Sequence, residues 1–264
     1  MHADLFDQYH FIRSPLHTTD PRVKVLAVIA YIVSNALLPD GSWLAFALAW
    51  LVLLLGNDLS GLGLGFTLKR SFVALPFALV AVSAIFSPQG HPLAEWDLGF
   101  ITLVPTDFGL ARFLSILARS WLSVQMAILL VATTQFPDLI HAFEHLHFPR
   151  VLTTIVAFLY RYLFVLTDEA FRLLRAREAR SAGLPGRKSG GNLAWRIKTT
   201  GHMAGQLFLR SYDRSDRIYN AMLARGYTGH LRTLNPHVMN RKDWLVLVLS
   251  FISLILIQIV GWIR

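Results

Sequence analysis

One uninterrupted apolar segment near the end of the chain, Trp244–Ile263, most limits what this sequence can fold into. It contains no charged residue, and a helix needs about 20 apolar residues to cross the hydrocarbon core of a bilayer. A backbone inside hydrocarbon must satisfy its own hydrogen bonds, which a helix does within a single segment. The segment therefore predicts a transmembrane helix, entered after Arg241 and Lys242, and an integral membrane protein.

Four earlier runs have the same apolar character. The first two are shorter than an ideal span, and the turn at Leu38–Ser42 between them indicates a tight transmembrane hairpin. Asp20 before Pro21 is a typical helix start, and Gly56–Arg70 indicates a glycine-rich connection. With 54% hydrophobic residues and a mean hydropathy of +0.48, the chain is too apolar for an ordinary soluble domain. We predict an all-α membrane protein with spans at Val23–Leu38, Trp43–Leu55, Ser71–Phe86, Leu110–Thr134 and Trp244–Ile263.

The net charge of +9 belongs entirely to one block, Gln135–Asp243. This block holds 17 Lys and Arg against 8 Asp and Glu, whereas the rest of the chain has equal numbers. Basic segments beside spans stay in the cytoplasm, so the block and the N terminus should be cytoplasmic and the acidic Ser87–Gly109 outside. Nucleic-acid binding fits poorly, because the block is interleaved with apolar stripes. We expect a membrane region at 1–134, a cytoplasmic coupling domain at 135–243 and a final helix at 244–264.

The basic block is predicted to be helical. A short amphipathic helix is expected at Pro137–Phe148, then a long helix at Val151–Ala182, a turn at Leu184–Asn192 and a second long helix at Leu193–Arg225. The first half of the first long helix is apolar enough to resemble a span. Arg161 interrupts it, however, and a span here would move the basic block outside. We therefore expect this helix at the inner membrane surface or against partner subunits.

The two long helices end in one repeated pattern, Asp-x3-Arg-[Leu/Ile]-x2-Ala-x2-Ala-Arg-[Ser/Gly]. Residues three apart share a helix face, so each copy predicts a flat alanine face with an arginine at its end. A flat face lets another backbone approach, and arginine binds a carboxylate with two hydrogen bonds. Two such ends suggest a partner with two equivalent sockets, such as a dimer; ordinary helix ends with a shared Ala/Arg bias are the alternative. The first tip is Ala179, Arg180 and Ser181, preceded by Asp168, Arg172 and Ala176; the second tip is Ala224, Arg225 and Gly226, preceded by Asp213, Arg217 and Ala221.

The sequence shows no catalytic or nucleotide-binding set. Ser181–Ser189 resembles a phosphate-binding loop only superficially, because Gly186 is followed by arginine and the first glycine is missing. His141, His145 and His147 have spacing that could ligate a metal, but a solvated polar helix face explains them as well. We expect no cofactor and no resident metal.

Two arginines, Arg112 and Arg119, fall within the fourth apolar run. An intramembrane arginine is a functional candidate. Equally, Arg112 could extend to the outer interface, and Arg119 could face a partner. The adjacent carboxylates Asp168 and Glu169 are expected to pair with neighbouring arginines.

Taken together, these residues resemble the transmembrane T component of energy-coupling-factor (ECF) transporters. The two tips match the family's paired Ala-Arg-Gly motifs, with Ser181 in place of one glycine. Thr133–Phe143 resembles the family's Thr-Thr-x-x-Pro segment, Tyr160–Tyr162 with Glu169 its Arg-Phe-x…Glu segment, and Asp20–Lys24 its amino-terminal signature. The opening Ser14–His17, the length and Arg225–Gly229 favour the cobalt branch, CbiQ, with the nickel branch close behind.

The resemblance implies a non-catalytic subunit of a bacterial inner-membrane importer for a transition-metal ion, cobalt in particular, serving cobalamin biosynthesis. Its tips would dock into two ATP-binding ABC ATPase subunits and tilt a substrate-binding membrane S component, CbiM-like, with or without a small CbiN-like subunit. Nucleic acid is not an expected partner. The alternatives are a nickel or vitamin T component, a secondary transporter with Arg119 and the histidines lining a path, or a membrane enzyme. The sequence does not determine the ion, because selectivity should reside in the S component.

Overall fold

The chain is described by a computed structural model, which covers residues 9–12, 14–86, 96–97, 102–103, 106–146, 148–181, 192–229 and 239–263. The fold is all-α, as predicted; a two-residue antiparallel pair of strands, β1 (Trp96–Asp97) with β2 (Thr102–Leu103), is a minor addition. The helices are α1 (Pro15–Thr18), α2 (Pro21–Leu37), α3 (Trp43–Ser60), α4 (Leu64–Arg70), α5 (Leu75–Ala81), α6 (Asp107–Thr133), α7 (Phe136–His145), α8 (Arg150–Arg180), α9 (Leu193–Ala224) and α10 (Arg241–Trp262). They fall into two compact units: α8 and α9 form the arm unit, and the other helices form the bundle unit.

The centre of the bundle unit is a set of four helices, α2, α3, α6 and α10. Both α6 and α10 pack against α2 and also against α3. In the four-helix arrangement, α2 and α3 therefore lie diagonally opposite each other. The predicted turn is present, with Gly41 at a φ of 78°, and it joins α2 to α3. The two helices meet at the bundle centre, where the Tyr31 hydroxyl donates to the Ala49 carbonyl at 2.9 Å.

The ends of the helices follow from local chemistry. Asp20 caps α2 as predicted, because its carboxylate accepts the Arg22 backbone N–H at 2.8 Å. The expected glycine-rich connection is shorter than the sequence suggested, since α3 continues through Gly56 and stops where Gly61 adopts a φ of 70°. A left-handed glycine ends a helix without steric cost.

The third predicted span is not one straight helix. Ser71–Phe86 consists of a 3₁₀ turn, α5 and a second 3₁₀ turn, and the segments Leu64–Ala74 and Leu79–Ile85 are bent by 52°. Pro76 supplies the reason, because it has no backbone N–H for the preceding turn.

Four of the described helices, α3, α6, α8 and α10, are long and apolar enough to cross a membrane, and the bent segment makes a fifth. At 17 residues, α2 is one residue shorter than α3, which has 18. The arm helix α8 belongs to this set by its length and composition, which agrees with the apolar character noted in its first half.

Candidate partner-docking site

The arm unit is braced at Glu169, which lies between arginines from both arm helices. Arg172 of α8 and Arg210 of α9 each donate to one of its carboxylate oxygens, and Glu169 is only 8% exposed. The predicted pairing of Glu169 with neighbouring arginines is confirmed. Arg210 was missed because it lies outside the repeat and more than forty residues away.

The two arm helices run antiparallel. Arg177 donates to the Thr200 hydroxyl at 3.5 Å, about two to three turns from the contact between Glu169 and Arg210 along both helices. The C-terminal end of α8 therefore lies beside the start of α9, and the two tips point to opposite ends of the arm unit. At 1.5 Å per residue, they lie about 17 Å and about 23 Å along their helices from Glu169.

The predicted helix ends, Ala182 and Arg225, lie two residues and one residue beyond the observed ends of α8 and α9. Ser181 terminates α8, and its hydroxyl donates to the Arg177 carbonyl at 2.9 Å, so serine replaces the family glycine without lengthening the helix. Gly226 follows the end of α9 with a φ of 79°. The sequence also offers Gly183, just after the first tip, as a helix stop, and this residue lies outside the described residues. The exposed members of the two tips are Ala179, Arg180, Ala224, Arg225 and Gly226.

The remaining repeat positions lead up to these tips on the same two helices. Arg172 serves the brace, whereas the outward-facing members keep their side chains available to a partner. Those exposed positions are Asp168, Ala176, Asp213, Arg217 and Ala221.

Two grooves open between α8 and α9, one on each side of Glu169. The groove on the side of the first tip, about 820 Å³, includes Ala176, Arg180 and Ser181 in its lining and is rich in arginine. We name it the cationic groove. The groove on the other side, about 550 Å³, is lined by phenylalanine and tyrosine and reaches Tyr227 just after the second tip. We name it the aromatic groove.

The intramembrane arginines have partners within the chain. Arg119 donates to the Leu38 carbonyl at 2.5 Å and to an Asp40 carboxylate oxygen at 2.7 Å, and Arg112 approaches the other Asp40 oxygen at 3.9 Å. Arg119 therefore has an ion-pair partner within its own chain. Its guanidinium ties α6 to the turn between α2 and α3, a contact across more than seventy residues that local patterns do not reveal.

The histidine cluster remains incomplete within the described part of the chain. The rings of His141 and His145 have centroids 4.7 Å apart on α7, whereas His147 lies outside the described residues. In the described ranges, no three His, Cys, Asp or Glu side chains are arranged to hold a metal ion. Of Ser181–Ser189, the segment that superficially resembles a phosphate-binding loop, only Ser181 belongs to the described residues.

The amino-terminal signature forms a buried junction at one end of the bundle unit. The ammonium group of Lys24, a residue that is only 7% exposed, donates to the Thr133 carbonyl at 3.0 Å. The Asp20 backbone N–H donates to Asp243 at 3.1 Å, so the start of α10 is joined to the start of α2. Burial lowers the pKa of the nearby His17. Lys24, the last residue of the amino-terminal signature, is therefore buried and makes a structural contact.

Fold and site together define a class: a multi-helix membrane subunit that carries a braced pair of helical arms, each ending in an exposed arginine. The chain belongs to the cobalt transport protein family CbiQ, whose pattern matches residues 13–238. The resemblance drawn from the motifs is confirmed.

Curated relatives extend over nearly the whole chain. A protein named energy-coupling factor transporter transmembrane protein EcfT from Lacticaseibacillus paracasei is 29% identical, covering 91% of this chain and 94% of its own. The protein of the same name from Brevibacillus brevis is 27% identical, covering 97% of each chain. An uncharacterized protein from Methanocaldococcus jannaschii is 27% identical over 94% of this chain and 83% of its own.

Proposed function

We propose that this chain is the transmembrane coupling subunit of an ECF-type importer. Its bundle unit forms the membrane scaffold, and its arm unit receives the movement of two ATPase subunits through the first and second tips. The observation that carries the proposal is the pair of exposed tips at opposite ends of one braced arm unit. The similarity to proteins named EcfT supports the same assignment.

The brace explains how the arms could transmit force. Glu169 accepts from arginines on both helices, so a displacement of α8 at its tip also moves α9. A helix pair without such a link would let each tip move independently. The ATPases would supply the energy, the arms would carry it, and a substrate-binding membrane S component would change its orientation in response.

The transported substrate we propose is a transition-metal ion, with cobalt first. The support is the description of the family as a cobalt transport protein, together with Ser14–His17 and Arg225–Gly229. Selection of the ion would reside in the S component, CbiM-like, with or without a CbiN-like subunit. The secondary-transporter alternative would place Arg119 and the histidines along a path, whereas Arg119 is paired with Asp40.

We further propose that the N terminus and the basic block lie in the cytoplasm of a bacterial cell and that α8 does not cross the membrane. Arg161 is exposed within the apolar half of α8, and a span there would place the 17 basic residues of the block on the unfavoured side. The chain has no cysteine, so labelling of a single introduced Ser189→Cys shows on which side of the membrane this residue lies, without background labelling of the chain. We expect that an impermeant maleimide does not label this cysteine in intact cells and does label it after lysis. Labelling from outside would reverse the proposed topology.

The docking role is tested by removing the tip arginines one at a time and together. Truncating one partner of a desolvated charge pair costs about 2–5 kcal/mol, and two attachments to one dimer reinforce each other. Arg180→Ala and Arg225→Ala should each reduce uptake, and the double variant should lose the ATPase. Ala179→Leu and Ala224→Leu should act similarly, since bulk would keep a tip out of its socket.

The control for this experiment is Arg175→Ala, because Arg175 is an exposed arginine of α8 that lines neither groove. The measurement is the amount of ATPase subunits that copurify with each variant from membranes containing equal amounts of the chain. Retention of wild-type amounts by the double variant would refute the proposed function.

A further inference from the structure

The cationic groove carries more positive charge than its own residues neutralise. Four arginines and a histidine line it, and within the described part of the chain its lining contains one acidic residue. Glu169 is already engaged by two of the arginines, whose side chains are nevertheless 61% and 55% exposed. The acidic and basic residues of the lining are Glu169, Arg172, Arg177, Arg180, His202 and Arg210.

The groove beside the second tip differs in chemistry. Among the described residues that line it, Arg214 alone is charged, and six are phenylalanine or tyrosine. Phe208 and Tyr219 are 68% and 56% exposed, so this side offers apolar contact area. The repeat makes the two tips look equivalent, but the surfaces next to them are not.

We propose that the cationic groove receives an acidic segment of the ATPase subunit that docks on the first tip. This inference rests on the proposed function and adds to it a second contact surface on one side only. An acidic peptide fits because carboxylates would meet arginines that remain more than half exposed. Complementary charge of this kind governs specificity and association rate more than bulk affinity.

The ATPase is the occupant because the groove and the tip are one continuous surface. Ala176, Arg180 and Ser181 belong to the lining of the groove and also to the repeat copy that ends at the first tip. A subunit seated on this tip therefore covers the mouth of the groove. Its contact there is salt-sensitive, because exposed charges are screened over about 8–10 Å at physiological ionic strength.

The test uses the full chain in lipid nanodiscs and the purified ATPase subunits identified with it by copurification and mass spectrometry. Arg177→Glu reverses one charge in the groove without removing either tip. Arg175→Glu makes the same change on the same helix, outside the groove. Binding is measured at low and high salt, in the Arg225→Ala background so that attachment depends on the first tip.

Arg177→Glu should weaken ATPase binding about tenfold at low salt, and the defect should shrink to about twofold at high salt. Arg175→Glu should change binding less than about twofold. A photo-crosslinker at Thr199, in the groove lining, should attach to an ATPase peptide rich in Asp and Glu. Reversing a carboxylate of that peptide to lysine should restore binding to Arg177→Glu.

The outcomes separate this inference from the proposed function. Equal effects of Arg177→Glu and Arg175→Glu, or crosslinks only to lipid or to an apolar peptide, would overturn the groove contact. The proposed function would stand in that case, provided that the Arg180→Ala/Arg225→Ala variant loses the ATPase. If the double variant keeps the ATPase, both proposals fail.

Discussion

Arg119 gives the most direct test of whether an intramembrane charge serves structure or transport. Its guanidinium donates to Asp40 and to the Leu38 carbonyl, and both charged side chains are about three-quarters buried, at 23% and 26% exposure. Replacing Arg119 with methionine keeps an unbranched apolar stem of similar length to the arginine aliphatic part and removes the charged guanidinium. We predict that Arg119→Met lowers the stability of the protein. The fraction of the variant that remains folded should still carry out transport.

The size of the effect follows from the burial of the pair. A fully buried pair costs about 3–5 kcal/mol when one partner is removed, whereas an exposed pair contributes at most about 1 kcal/mol. The hydrogen bond to the Leu38 carbonyl adds about 1 kcal/mol. We therefore expect Arg119→Met to lower the free energy of unfolding by about 2–4 kcal/mol, and Asp40→Asn by about 1–3 kcal/mol.

A double-mutant cycle isolates the interaction between the two side chains. The four variants are unfolded by SDS titration in mixed micelles, with helix content followed by circular dichroism. The double variant should be less destabilised than the sum of the singles by about 1–2 kcal/mol. Arg112→Met is the control, because Arg112 is half exposed and 3.9 Å from Asp40, so its loss should matter little. A coupling near zero, combined with abolished uptake by stable Arg119→Met protein, would refute the structural role.

Two further substitutions test packing in the bundle unit. Gly109→Ala would place a Cβ 2.2 Å from the Ile85 carbonyl oxygen, whereas Gly65→Ala meets nothing within 4 Å. The first should lower stability by about 1–3 kcal/mol in thermal unfolding, and equal melting temperatures for the two variants would contradict the close approach. Lys24→Met should cost about 1–3 kcal/mol because it leaves the buried Thr133 carbonyl without the donor that Lys24 supplies. The exposed Lys69→Met serves as its control, and matched stabilities would show that Lys24 is not buried as described.

The sequence predicted the features that depend on neighbouring residues. Apolar runs gave four of the helices, since hydropathy and length are local properties. Asp20 with Pro21 located the start of α2, and the repeated motif located the ends of α8 and α9 within two residues. Capping depends on one or two side chains and the adjacent backbone, so it is visible in the sequence itself.

Family membership was also accessible from the sequence. The two tips and the amino-terminal signature occur at recognisable spacings, and the match to the CbiQ family extends over residues 13–238. The docking role of the tips stays a prediction, because it depends on the surface of a partner.

Only the tertiary structure showed which distant residues meet. The diagonal placement of α2 and α3, the salt bridge of Arg119 with Asp40, and the contact of Lys24 with Thr133 all join segments far apart in the chain. The unequal grooves beside the two tips are of the same kind, since each groove requires side chains from both arm helices. Local patterns set the start, end and apolar face of a helix, whereas the partners of its side chains depend on how separate helices pack together.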